Sequence, residues 1–155
     1  MSSQNDLVEV LNDLIKINHD RVEGYERASN ETKDSDVDLK AIFNKMADQS
    51  RGYASELTQH VLHLGGEPAT DTTVSGKVYR VWMDLKAAIT GKDRESILGS
   101  CEYGEDVAQR SYEAALQSDT DINGEIRQKI ATQKSELKTA HDMIKSYRDM
   151  HEKVS

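Results

Sequence analysis

Cysteine, proline, tryptophan and phenylalanine occur once each in these 155 residues, and aromatic residues make up only 5% of the chain. The single Cys101 excludes an internal disulfide framework and suits a reducing compartment. A lone thiol of this kind reads as a small buried hydrophobe rather than a reactive group. No apolar run approaches the ~20 residues of a membrane-spanning helix. The opening MSSQNDLVEVLNDL has no basic region followed by an apolar core, so no secretory signal is expected. A cytoplasmic location is therefore the default. Clustered basic charge is missing too: Lys and Arg are scattered through a chain of 28 acidic and 20 basic residues with net charge −8. Nucleic-acid binding needs a concentrated basic face, so neither nucleic acid nor membrane is an expected partner. There is no Gly-rich phosphate loop and no nucleophile signature.

What is present is helical periodicity. The length fits one domain, 1–155, able to bury roughly 68–70% of its unfolded surface. Leu7, Leu11, Leu14, Asn18, Val22 and Tyr25 recur at three- and four-residue steps, as do Leu39, Phe43, Met46, Ser50, Tyr53, Leu57 and Leu64. A third stripe runs Leu98, Cys101, Glu105, Ala108, Tyr112 and Leu116, and a fourth Ile122, Ile126, Ile130, Leu137, Ile144 and Tyr147. Each stripe gives a helix one buried face. The spacing predicts helices over about 4–32, 36–65, 93–118 and 121–152, with a further amphipathic helix over about 75–90. Ser35 or Asp36 and Asp93 are candidate N-caps. Gly65 or Gly66 is the candidate left-handed cap, and Pro68 bars continuation of the helix. Short links make the first and last helix pairs antiparallel hairpins, and the long middle connection makes the second and third helices parallel.

The stretches LNDLIKINHDRVEGYERA, LTQHVLHLGGEP, WMDLKAAITGKD, CEYGEDVAQRSYEAAL and LKTAHDMIKSYRD, in this order, resemble small bacterial ferritin-like proteins of unassigned function. The resemblance implies an all-α, ferritin-like four-helix bundle with a long crossover containing an extra helix. Ferritin-like di-iron proteins use one Glu from each of two helices and a Glu-x-x-His pair from each of the others. This sequence departs from that pattern. Asn18 stands where the first ligand Glu is expected, and Ser50 and Tyr53 where the first pair is expected. His141 resembles the family histidine, but Lys138 takes the place of its Glu. An intact di-iron centre is not expected.

Axial bookkeeping orders the remaining candidates. With Asn18, Ser50, Glu105 and Leu137 as a mid-bundle layer and about 1.5 Å of rise per residue, Glu56 lies roughly 9 Å toward one end. His60 lies beyond it, and His141 is about 6 Å toward the other end, so Glu56 and His141 cannot share an ion. The residual metal-ligand candidates are Glu102, Glu105 and His141, with Asn18, Glu23, Tyr25 and Tyr53 around them. Glu105 can ligate a metal or pair with a nearby Lys or Arg, and the second reading is favoured. His141 can ligate or accept a carboxylate partner while half-buried, and again the second is favoured. The tyrosines read as core fillers whose hydroxyls find polar partners. The expectation is a non-catalytic structural or interaction protein, self-associating through a helical face, with no cofactor. The alternative is a metal-binding or redox protein holding iron, manganese or zinc. A third option is a small-molecule pocket beneath YRVWMDLKAAI, anchored by Trp82.

Overall fold

The computed structural model describes residues 2–70, 94–118 and 120–154. They form four helices: α1 (Ser2–Glu31), α2 (Val37–His63), α3 (Arg94–Leu116) and α4 (Gly124–Val154). The predicted helix at 75–90, its Trp82 and the Asp93 cap fall outside the described residues.

Helix packing follows the apolar stripes. Leu7, Leu11 and Leu14 of α1, Leu39, Phe43 and Leu57 of α2, Leu98 and Tyr112 of α3, and Ile126, Ile130 and Ile144 of α4 are all buried in one core. Cross-bundle hydrogen bonds give the directions. Asn18 and Arg21 meet Ser50 and Met46, so α1 and α2 are antiparallel. Asn18 and Tyr25 meet Tyr112 and Glu105, so α3 also opposes α1. Tyr53 and Glu56 meet Glu136 and Gln133, so α4 opposes α2. Two helices that both oppose α1 are parallel to each other, which requires the long crossover between α2 and α3. Around the bundle α1 neighbours α2 and α3, and α4 completes the square.

The turns carry readable chemistry. Of the two cap candidates, Asp36 stands at the N-cap position of α2, with no cap hydrogen bond from its side chain. α2 ends with Gly65 at φ +79°, its N–H bonded to the Leu62 carbonyl and that of Gly66 to Val61, a Schellman cap. Asn12 then fixes the exit of the chain, donating to the Glu67 carbonyl and accepting from the Ala69 N–H. α4 begins at Gly124 rather than near residue 121, because the Asn123 side chain accepts the Ile126 N–H as an N-cap. In both hairpins a cation of the second helix donates to a carbonyl near the end of the first: Lys40 to Ser29 at 2.6 Å and Arg127 to Leu116 at 3.2 Å. Among the described residues no helix is long and apolar enough to cross a membrane.

Candidate functional site

At mid-bundle the core turns polar. Arg21 is 1% exposed, among the largest fully buried side chains. It reaches the interior because it lies three residues after Asn18 and four before Tyr25, on the inward face of α1. Its Nε donates to Glu105 Oε1 at 2.7 Å and its Nη2 to Oε2 at 2.8 Å, a fork matched to a carboxylate. Nη1 donates to Ser50 Oγ at 2.8 Å and to the Met46 carbonyl at 3.1 Å, while Nη2 also approaches Met46 Sδ at 3.5 Å. A guanidinium has five N–H donors, and here each has an acceptor. Glu105, also 1% exposed, takes a third hydrogen bond from the Tyr25 hydroxyl at 2.9 Å. The Arg21 guanidinium carbon lies 5.1 Å from the centroid of the Tyr25 ring, within cation–π range.

The network continues head to tail. Ser50 Oγ donates to Asn18 Oδ1 at 2.9 Å, and Asn18 Nδ2 donates to Tyr112 Oη at 2.8 Å. Tyr112 donates to Gln133 Oε1 at 2.7 Å, and Gln133 Nε2 to Glu56 Oε1 at 2.9 Å. A single line of donors thus runs from a buried cation, through all four helices, to an exposed carboxylate. Bonds aligned in this way polarise one another favourably.

The electrostatics follow from burial. Burial works against the Arg21 charge, but the charge and hydrogen bonds of Glu105 outweigh it and hold the guanidinium firmly protonated. Burial pushes the Tyr25 hydroxyl well above its ordinary range, and the Glu105 carboxylate adds to the rise. Burial likewise raises Tyr112 and the Cys101 thiol, with Glu105 contributing at Cys101. Tyr53 is raised by burial and by its hydrogen bond to Glu136.

The residues singled out from sequence divide between two neighbourhoods. Glu105 faces the core with Asn18 and Tyr25. Glu102 and His141 lie on the α3–α4 seam, where His141 Nε2 is 2.7 Å from Asp106 Oδ1 and 3.8 Å from Glu102 Oε2. Glu102 is also paired with Arg148. Tyr53 donates to Glu136 at 2.6 Å on the α2–α4 side, and Glu23 is exposed on α1. Glu56 carries Gln133 and Lys129, far along α4 from His141. Lys138 is exposed and paired with Asp142 rather than facing the core. The assumed mid-bundle layer holds for Asn18 and Ser50, which are bonded to each other. The α4 residue joined to that level is Gln133, not Leu137, about one helical turn away. Arg21 and Gln133 were not among the candidates. Their spacing within the stripes is the signal that marks them, at 18, 21 and 25 and at 130, 133 and 137.

The family described as a domain of unknown function, DUF2383, matches residues 6–118. The chain belongs to this family. The Arg21–Glu105 pair and the relay as far as Tyr112 lie within the DUF2383 match, and Gln133 lies beyond it. Among solved structures, a mutant of Dps1 from Mycobacterium smegmatis superposes with a TM-score of 0.82 at 13% identity, covering 95% of this chain and 97% of that one. That likeness shows the fold, a ferritin-like four-helix bundle. No curated protein matches.

Proposed function

We propose that this DUF2383 protein is a non-catalytic ferritin-like bundle, structural or interaction-mediating, in which an arginine–glutamate pair takes the place of a di-metal centre. The observation that carries this reading is the buried Arg21 guanidinium, with all five donors engaged and both Glu105 oxygens occupied. A di-iron site needs several carboxylates and imidazoles turned onto one pair of ions. The residues that meet here are Asn18, Arg21, Tyr25, Ser50, Glu105, Tyr112 and Gln133. One carboxylate, already bound to a cation that cannot be deprotonated in a protein, does not fit that chemistry. The guanidinium supplies the central positive charge itself. Self-association through a helical face would give the bundle an assembly role, and a reducing cytoplasmic setting suits its buried free Cys101.

The second reading, a metal-binding or redox bundle using Glu102, Glu105 and His141 for iron, manganese or zinc, draws its support from His141. Its Nε2 adjoins both Asp106 and Glu102. Against it, no three His, Cys, Asp or Glu side chains among the described residues are placed to hold one ion. Elemental analysis of protein purified without chelator separates the two. The proposal expects no stoichiometric metal, and a melting temperature unmoved by added iron, manganese or zinc. Stoichiometric metal that disappears in His141→Ala would overturn it.

A further inference from the structure

Asn123 and Gly124 form the chain's single Asn-Gly step, and it falls where the α3–α4 connection enters α4. Before glycine, an asparagine side-chain amide is open to attack by the next backbone nitrogen, because no Cβ obstructs the approach. Here both residues are exposed, and a Cβ on Gly124 would meet nothing within 4 Å. Gly124 is also the first residue of α4, so its N–H has no acceptor within the helix. The remaining asparagines, at 5, 12, 18, 30 and 44, lie in α1 or α2 and precede residues that carry side chains.

The same turn shows what holds the reaction back. Asn123 Oδ1 accepts the Ile126 N–H at 3.0 Å, and the Asn123 carbonyl accepts the Arg127 N–H at 2.9 Å. Closing a ring between the Gly124 nitrogen and Asn123 Cγ rotates both the side chain and the adjoining peptide, so these bonds must break first. Ile122 and Ile126, both buried, hold the step down on either side. Opening one cap and one turn is nevertheless a local event, far easier than unfolding the bundle.

We propose that Asn123–Gly124 is a self-modification site, deamidating through openings of the first turn of α4. The Gly124 nitrogen bonds to Asn123 Cγ and gives up its proton, and the side-chain nitrogen leaves as ammonia. Water then opens the cyclic imide at one carbonyl or the other. One opening yields aspartate at position 123; the other yields isoaspartate, with the main chain routed through the former side chain. The two products act oppositely on the fold. Aspartate keeps the cap acceptor and places negative charge where the helix dipole favours it. Isoaspartate adds a methylene to the backbone and displaces both acceptors, freeing the turn from which Arg127 reaches the Leu116 carbonyl. The site stands independently of the reading given to the buried pair.

The full chain, aged at mildly alkaline pH in heavy-oxygen water and mapped by peptide mass spectrometry, tests this. Each conversion fixes one water oxygen, and enzymatic methylation counts the isoaspartate. Conversion is expected at position 123 ahead of every other asparagine, about five- to thirtyfold slower in the folded chain than in urea, the factor that one cap supplies. Gly124→Ala should suppress it in both states. Ile126→Ala, checked for an intact helical spectrum, should bring the folded rate toward the unfolded one and leave the unfolded rate alone. Asn123→Asp should melt no lower than the unaltered chain. Equal rates in folded and unfolded chain, no conversion at position 123 while the unfolded chain converts there, or an earlier conversion elsewhere would each overturn the proposal.

Discussion

Arg21 and Glu105, 84 positions apart in the chain, close two hydrogen bonds of 2.7 and 2.8 Å in the centre of the bundle. This contact joins α1 to α3, a seam with far fewer packing contacts than either hairpin. Taking two charges out of water is expensive, and their attraction compensates only when the remaining donors and acceptors are satisfied. Ser50, Met46 and Tyr25 meet that condition here. The pair thus ties residue 21 of α1 to residue 105 of α3, one fixed point between the two hairpins.

Removing one partner should be far worse than removing both. Arg21→Leu leaves the Glu105 carboxylate buried and unpaired, and is expected to cost about 3–5 kcal/mol by urea denaturation. Arg21→Lys should fall between, because an ammonium offers three donors to five acceptor positions. The double replacement Arg21→Met with Glu105→Leu should recover most of the loss, giving a coupling energy of about 2 kcal/mol or more in a double-mutant cycle. Additive single losses would show that the pair is not coupled.

The relay predicts unequal tyrosines. Tyr112→Phe strips a donor from Gln133 and an acceptor from Asn18, both buried, and is expected to cost about 1–3 kcal/mol. Tyr53→Phe removes only a hydrogen bond to Glu136 at the edge of a groove, and should cost about 1 kcal/mol or less. Thermal melts of the two variants rank them directly, and a reversed order would break the relay argument.

Most of the fold was legible because the apolar stripes repeat at helical spacing without interruption, and because HLGGEP is a recognisable cap. The polar centre was only half legible. Glu105, Asn18 and Ser50 stood in stripes and were found. Arg21 and Gln133 occupy equally good stripe positions, but Arg and Gln are mostly exposed in proteins, so burial is not the first reading of either. Val22 was placed on the α1 stripe at the step where Arg21 turns inward, yet it is only partly buried. His141 takes the half-buried, carboxylate-paired placement favoured for it: its neighbour Ala140 faces the core, and one residue of helical rotation puts the imidazole on the α3–α4 seam beside Asp106.

Glycines give a test in which the sign changes along one helix and its cap. At Gly66 an added Cβ would lie 2.8 Å from both Val8 methyl groups and 3.2 Å from Val61. Gly66→Ala should therefore cost about 1–3 kcal/mol by overpacking. Gly65→Ala meets open space but must hold φ +79°, and should cost about 1–2 kcal/mol. Gly52→Ala, in open space inside α2, should stabilise by about 0.5–1 kcal/mol. Denaturation midpoints of the three variants check the ordering.

Alkaline pH should unfold the bundle through its buried hydroxyls. Tyr25, Tyr112 and Cys101 all have pKa values raised by burial above ordinary values of 10.0, 10.0 and 9.0. Below about pH 8 each is protonated in both the folded and unfolded chain, and its contribution is fully present. Above its ordinary pKa, each group ionises in the unfolded chain but stays protonated in the folded one. The unfolded state then binds fewer protons, so stability falls as pH rises, by up to about 1.4 kcal/mol per pH unit for each group. Arg21 adds nothing in this window, because its contribution is lost only above the ordinary arginine range. Urea midpoints measured from pH 8 to about 11.5 should hold level with respect to these groups, then drop. Phenolate absorbance from the two buried tyrosines should appear only together with loss of the helical signal. The pair Tyr25→Phe and Tyr112→Phe should make the fall shallower. Ordinary titration of either hydroxyl in a chain that remains helical would show that the relay is open to solvent.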